Sequence, residues 1–185
     1  MMLLPAISLP ECARCLYGGW RIFWRDRSGF DYFGTSLTDF WKSFWCMVLL
    51  APFYTYMLAL GPADQYAASG SWLRIGVIEV TTYLILWFVW PLIMVYVSGW
   101  MGKFDGFFSY VIAYNWAAAS LFVFKIVLAT LAWSHLLPTG AVTAMFLGLL
   151  AYSFFYHVFI LQKTLEINAM EAFGLVVGEF FLGLM

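Results

Sequence analysis

The sequence predicts an all-α protein that crosses a lipid bilayer several times as a bundle of helices. Apolar residues make up 64% of its 185 residues, aromatic residues 22% and charged residues only 10%. An ordinary soluble domain carries about 25% charged residues, so this chain lacks the polar surface that contact with water requires. Its net charge of −1 gives it no general attraction to nucleic acid.

Five apolar stretches have about the length that a helix needs to cross the hydrocarbon core. They cover residues 44–60, 75–97, 107–133, 140–161 and 169–185. Ser36 followed by Asp39 resembles a capping box, which predicts that a helix starts ahead of the first stretch. Pro91 predicts a kink in the second stretch. The fifth is short and contains Glu171 and Glu179, so the alternative is four spans and a last segment that is re-entrant or lies on the surface.

The basic residues predict how the chain is oriented in the membrane, because cytoplasmic loops carry an excess of Lys and Arg. Residues 1–43 form an N-terminal arm and residues 44–185 the transmembrane domain. A cytoplasmic N-terminus puts seven basic residues on one side: Arg14, Arg21, Arg25, Arg27, Lys42, Lys103 and Lys163. The other side holds Arg74 alone. We therefore expect a cytoplasmic N-terminus and, with five spans, a C-terminus outside.

The arm predicts an amphipathic helix that lies at the membrane interface. Arg14, Arg21 and Arg25 recur at spacings of seven and four residues and share one helical face. The other face is largely aromatic and apolar, with Leu16, Trp20, Phe23 and Trp24. Gly18 and Gly19 are expected to weaken the helix by about 1 kcal/mol each. The arm is interpreted either as a simple positive anchor for topology or as a platform for a cytoplasmic partner or an anionic lipid.

Ionisable side chains inside the predicted spans are candidate functional groups, because a charge within the bilayer is costly. Glu79 and Lys125 both fall in the outer half of the membrane, which predicts an interhelical ion pair between them. Glu179 in the last stretch is a competing partner for Lys125. A structural pair that sets helix register is the favoured interpretation, and a proton or ion pathway is the alternative. His157 is interpreted as an ordinary satisfied polar residue.

Two further motifs are weak signals of a functional site. Cys12 and Cys15 form a Cys-x-x-Cys without a second pair, so two reduced thiols are favoured over half of a zinc site that a second copy would complete. Gly174 and Gly178 form a Gly-x-x-x-Gly, which favours close packing against another helix or a second copy. No phosphate loop, metalloprotease motif or nucleophile elbow is present. The sequence therefore predicts no catalytic site, no metal site and no cofactor.

The layout resembles the Yip (Ypt-interacting) family of small membrane proteins. The shared features are an N-terminal arm, five spans, a Gly-rich loop after the second span and a polar link before a short last span. Residues 99–116, Gly-Trp-Met-Gly-Lys-Phe-Asp-Gly followed by Phe-Phe-Ser-Tyr-Val-Ile-Ala-Tyr-Asn-Trp, are similar to the family's Gly-rich turn leading into a span. Gly-Trp-Arg at 19–21 and Phe-Trp-Lys-Ser-Phe-Trp at 40–45 are similar to small inner-membrane proteins of Gram-negative bacteria.

The resemblance implies a non-enzymatic membrane scaffold or partner-binding protein. The basic aromatic arm and the lack of catalytic groups favour binding of another protein, a lipid or a second copy of the chain. The first alternative is a small transporter or channel that uses Lys125, Glu79 and Glu179. The second is an accessory subunit of a larger membrane complex, and an intramembrane enzyme ranks last. We expect the protein to be a multi-pass component of a cell membrane, most consistent with a bacterial inner membrane.

Overall fold

The computed structural model describes residues 5–60 and 72–183, which form helices and the connections between them without a β-strand. Two 3₁₀ turns, Arg27–Tyr32 and Phe104–Gly106, lie between the longer helices. Seven α-helices occur in these described ranges: α1 (Leu9–Phe23), α2 (Leu37–Ser43), α3 (Trp45–Ala59), α4 (Trp72–Trp100), α5 (Phe107–Ser134), α6 (Thr139–Leu165) and α7 (Ala169–Leu182).

Three helical segments are long and apolar enough to cross a membrane: Leu73–Trp100, Phe104–Ser134 and Thr139–Leu165. They contain the second, third and fourth predicted spans. The helices in the first and fifth predicted spans are shorter, because α3 has 15 residues and α7 has 14. At about 1.5 Å per residue, neither of these two helices alone reaches the roughly 30 Å of a hydrocarbon core.

A local sequence signal explains where α2 begins, and α4 continues through a proline. The predicted capping box is present, because Ser36 Oγ accepts the Asp39 N–H at 3.1 Å and Asp39 Oδ2 accepts the Ser36 N–H at 3.1 Å. Phe44 alone separates α2 from α3, so residues 37–59 form two nearly continuous helices. α4 continues through the buried Pro91 without ending there.

The hydrophobic core lies at one end of the bundle, where α1 and α2 pack against the end of α4, the beginning of α5 and the end of α6. We call this the packed end. Side chains that are at most 1% exposed there come from five different elements, and include Ile22, Cys46, Met94, Trp116 and Tyr156. Two polar contacts hold it together: Asn115 Nδ2 donates to Ser43 Oγ at 2.8 Å, and the Tyr156 hydroxyl donates to the Gly19 carbonyl at 3.1 Å.

The other end of the three long helices has almost no buried side chains. We call residues 73–86, 122–134 and 139–155 the open end. Within it only Leu128 and Val142 are buried. Apolar side chains there face outward, including Val77, Val127 and Leu147, each at least half exposed. Such a surface is stable in contact with lipid tails and costs about 25 cal/mol per Å² in contact with water.

Two adjacent glycines bring α1 into backbone contact with its neighbours. A Cβ atom on Gly19 would lie 2.6 Å from the Trp116 carbonyl oxygen of α5. A Cβ atom on Gly18 would lie 2.9 Å from the Gly29 carbonyl oxygen in the 3₁₀ turn. The glycines expected only to weaken this helix therefore have a packing function, because no larger residue allows this approach.

The Gly-x-x-x-Gly motif of α7 does not provide close packing within the described chain. A Cβ atom on Gly174 or Gly178 would meet nothing within 4 Å. α7 instead packs against α6 through Ala172 and Val176, which are buried. The intrachain part of the prediction is wrong because the glycines lie on the side of α7 that faces away from α6. Docking of a second copy at these glycines stays a prediction.

Gly19→Ala tests the backbone contact between α1 and α5. We expect it to lower the free energy of unfolding by about 1–3 kcal/mol, because the methyl group must displace a backbone rather than a flexible side chain. Gly174→Ala is the matched control and should raise stability by up to about 1 kcal/mol through helix propensity. Thermal unfolding in detergent micelles measures both variants. Equal effects of the two substitutions would contradict the packing role of Gly19.

Candidate functional site

A carboxylate, an imidazole and a phenol meet between α5, α6 and α7. The Tyr114 hydroxyl donates to Glu179 Oε1 at 2.6 Å, and His157 Nδ1 lies 3.1 Å from Glu179 Oε2. The Glu179 and His157 side chains are only 15% and 18% exposed. Each carboxylate oxygen thus has a polar neighbour on a different helix, so Glu179 links all three helices.

The turn between α6 and α7 explains why Glu179 and His157 meet. Only residues 166–168 separate the two helices, so α7 doubles back along α6. His157 precedes the end of α6 by about 12 Å, and Glu179 follows the start of α7 by about 15 Å, at 1.5 Å per residue. Similar distances from one tight turn bring the two side chains to the same level of the bundle.

An aromatic path extends from this cluster to α4. The Tyr110 and Tyr114 ring centroids are 5.7 Å apart, and Trp90 Nε1 donates to the Tyr110 hydroxyl at 2.7 Å. Tyr110 is 1% exposed and Trp90 6%. Hydrogen bonds and one ring contact thus connect Trp90 of α4, through Tyr110 and Tyr114 of α5, to Glu179 of α7.

Lys125 lies in a cavity of about 240 Å³ that also reaches Glu179 and His157. Apolar side chains such as Phe154 and Phe180 form its other walls. A smaller cavity of about 130 Å³ reaches Glu179 from the α4 side. The Glu179 carboxylate thus lies between two cavities. Lys125 and Glu179 share the first cavity, but no ion pair within 4 Å joins them among the described residues.

Glu79 is located elsewhere, and the predicted Glu79–Lys125 ion pair does not form. The Tyr54 hydroxyl of α3 donates to Glu79 Oε2 at 3.0 Å. Both side chains line a groove of about 310 Å³ between α3 and α4. The reason is that the first half of α4 buries no side chain against α5, so Glu79 faces α3. Of the three predicted ionisable residues, Lys125 and Glu179 are brought near each other and Glu79 is not.

Sequence reasoning missed the role of His157. The sequence predicts an ordinary satisfied polar residue near the inner end of its span and names no partner for it. The tight turn at residues 166–168 is the signal that predicts its proximity to Glu179. An imidazole and a carboxylate thus lie side by side inside the bundle. This pair is a candidate site for taking up or releasing a proton.

The arm residues divide between a buried and an exposed side of α1. Cys12, Cys15 and Ile22 are buried, whereas Arg14, Trp24 and Arg25 are exposed and Trp20 is 38% exposed. We call the exposed set Arg14, Trp20, Trp24 and Arg25 the basic aromatic face. The apolar side of α1 therefore packs on α5 rather than on lipid.

Arg21 differs from the other predicted arm residues. Its Nε donates to Asp26 Oδ2 at 2.8 Å, and its Nη1 donates to the Tyr32 hydroxyl at 3.1 Å. Hydrogen bonds from the Ser28 hydroxyl and N–H, and then from Arg21, hold the pKa of Asp26 below its usual value. Arg21 thus fastens the end of α1 to the following 3₁₀ turn.

The thiols of Cys12 and Cys15 are buried against the core. Burial raises the pKa of both thiols, that of Cys15 to about 11, although the Arg14 guanidinium opposes the shift. No group of three or more metal-binding side chains occurs within residues 5–60 and 72–183. Two inert, reduced thiols remain the favoured interpretation of the Cys-x-x-Cys, since the thiolate is the reactive form.

Comparisons with protein-family models, with curated proteins and with solved structures find no match to this chain. The function of the chain is therefore inferred from its own residues.

Glu179→Ala tests the carboxylate-centred cluster. It leaves the Tyr114 hydroxyl and the His157 ring without their acceptor, and we expect the free energy of unfolding to fall by about 1–3 kcal/mol. Glu179→Gln retains an acceptor for Tyr114 and should cost less. Glu166→Gln, an exposed control near the same turn, should change stability by less than about 0.5 kcal/mol. An alanine variant as stable as the wild type in thermal unfolding would refute the cluster.

The reactivity of Cys15 tests its burial. With a pKa of about 11, the thiol stays protonated at pH 8, so alkylation by a maleimide should be slow until the protein unfolds. A cysteine introduced by Ala13→Cys, at an exposed position of the same helix, should react rapidly. Mass spectrometry of the labelled protein separates the two sites. Fast modification of native Cys15 in the folded protein would contradict this arrangement.

Proposed function

We propose that the protein is a non-enzymatic, multi-pass membrane component that holds a negatively charged partner through the basic aromatic face of α1. One observation carries this proposal: Arg14 of α1, and Trp24 and Arg25 just after it, stay exposed while the other side of α1 packs into the core. A rigid surface loses little conformational freedom on binding. Arginine and tryptophan are also the residues that dominate binding surfaces. The resemblance to the Yip family implies the same class of function and stays a prediction.

We also propose that the chain crosses the membrane five times with a cytoplasmic N-terminus. The continuity of α2 and α3 supports the first crossing, because residues 37–59 together have the length that α3 lacks. The last crossing corresponds to the fifth predicted span, of which the structure describes α7 and Gly183. The excess of Lys and Arg at the ends of the packed helices supports the orientation. Under this topology the packed end lies on the cytoplasmic side.

A second candidate function is favoured by the Glu179–His157 pair. Ionisable groups inside a membrane commonly mark a proton or ion pathway. Glu179 lies between two cavities, and Lys125 lines one of them. A proton-linked transporter would use Glu179 and His157 as the proton acceptor. In proteoliposomes with an internal pH dye, it would show a proton flux that Glu179→Gln abolishes. If the wild type shows no proton flux, the cluster around Glu179 has a structural role only.

Reporter fusions test the topology. A reporter at Asp64, within residues 61–71, which lie outside the described part of the chain, should be extracytoplasmic. A reporter at Lys103 should be cytoplasmic, because only one crossing separates the two positions. A fusion at residue 185 should again be extracytoplasmic if α7 belongs to a fifth span. A cytoplasmic reporter at residues 61–71 would overturn the orientation, and a cytoplasmic C-terminus would reduce the count to four.

Affinity purification from native membranes tests the binding function. The wild type should recover a partner or a second copy in stoichiometric amount. A variant with Arg14→Gln and Arg25→Gln should lose most of it, because the attraction depends on these charges and is screened by salt. The matched control, Lys103→Gln with Lys163→Gln, removes two positive charges outside α1 and should retain the partner. Recovery of the wild type as a monomer without a bound partner would contradict the proposal.

A further inference from the structure

A long groove runs along the surface where the end of α1 meets α5 and α6. It has a volume of about 680 Å³, within the range of roughly 300–1,000 Å³ that small-molecule sites occupy. Phe124 and Leu128 of α5 form one wall, and Tyr152 and Met145 of α6 form the other. The charged side chain of the groove, Arg25, lies at the α1 end.

The groove has a direction. From the α1 end, its α6 wall runs from Tyr152 to Met145, and its α5 wall runs from Phe124 to Leu128. Seven residues of helix correspond to about 10 Å. The groove therefore begins at the packed end and leads along the open end, which we propose is covered by lipid tails. An apolar chain lying in it would point toward the middle of the membrane.

Arg25 has no carboxylate partner among the described residues. Its neighbour Asp26 already accepts hydrogen bonds from Arg21 and Ser28. The Arg25 guanidinium carbon lies 5.7 Å from the centre of the Phe159 ring. A guanidinium that keeps its positive charge unpaired beside an apolar groove is complementary to an anion that carries an apolar tail. The planar guanidinium fork can bind a phosphate through two parallel hydrogen bonds.

The backbone turns sharply at Arg25. Its φ of 60° is left-handed, at the position just after α1 where helices usually have glycine. Trp24, which is 62% exposed, precedes it and also lines the groove. Tryptophan is enriched at the boundary between headgroups and hydrocarbon. The rim of the groove thus combines a boundary residue with an unpaired positive charge.

We propose that this groove binds one anionic phospholipid, with its phosphate at Arg25 and an acyl chain between α5 and α6. The proposal deepens the function proposed above, on which it rests, by naming an anionic lipid as a partner of α1. A zwitterionic lipid would fit the apolar walls equally well, but its headgroup carries no net negative charge for Arg25. The preference for a negative headgroup therefore comes from this one side chain.

Two substitutions separate lipid binding from stability. Arg25→Gly removes the guanidinium and places the preferred residue at the left-handed position, so the lipid-free protein should unfold at the same temperature or higher. Gly148→Leu fills the groove from the α6 side, where an added Cβ meets nothing within 4 Å. Arg27→Gln is the matched control, because Arg27 is exposed and lies outside the groove.

The experiment measures binding of phosphatidylglycerol and of phosphatidylcholine with the same acyl chains to the delipidated protein in zwitterionic micelles. Native mass spectrometry counts bound lipid, and the rise in unfolding temperature reports affinity. We expect one tightly bound phosphatidylglycerol, bound at least tenfold more tightly than phosphatidylcholine. Soluble glycerol phosphate should not raise the unfolding temperature, because it lacks the chain.

The variants decide the outcome. Arg25→Gly should lose the preference for phosphatidylglycerol, Gly148→Leu should lose both lipids, and Arg27→Gln should behave as the wild type. Unchanged binding by Arg25→Gly or by Gly148→Leu would overturn the proposal, as would an equal loss in Arg27→Gln. If the lipid results fail while Arg14→Gln with Arg25→Gln still abolishes recovery of a protein partner, only the lipid site is wrong. If both fail, the function of the α1 face is wrong as well.

Discussion

The apolar surface of the open end must be covered by something other than water, and most features of the structure follow from that requirement. Half-exposed aliphatic side chains such as Val77 and Val127 lie on helices of 29 and 28 residues, respectively. Lipid tails cover such a surface without any protein contact, so α4 and α5 can separate there at little cost. In water the same surface would drive collapse or aggregation.

Protein packing is concentrated at the packed end, and α1 supplies much of it. The backbone contact of Gly19 with Trp116 places α1 directly on α5. Glu179 links three helices through Tyr114 and His157. One end of the bundle is thus rigid enough to present arginine and tryptophan side chains at fixed positions. The proposed binding surface depends on that rigidity.

Sequence alone predicted the features that depend on composition and on neighbouring residues. The all-helical class, three of the five predicted spans and the Ser36–Asp39 capping box all followed from local patterns. The register between helices does not follow from local patterns, because it depends on which helix faces pack against each other. Glu79 was therefore assigned to the wrong partner, and the Gly18–Gly19 pair was interpreted as a weakness rather than a contact. His157 was missed for the same reason, although the short turn before α7 was visible in the sequence.

The most direct test of this account is the environment of Val127 in a bilayer. Because the native thiols are buried, a nitroxide label attached through Val127→Cys reports on one position of the open end. Its relaxation should be enhanced by oxygen, which dissolves in lipid, and not by a water-soluble nickel chelate. A label at Lys163→Cys, at the packed end, should show the reverse. Equal access of the nickel chelate to both positions would show that water covers the open end and would contradict the account.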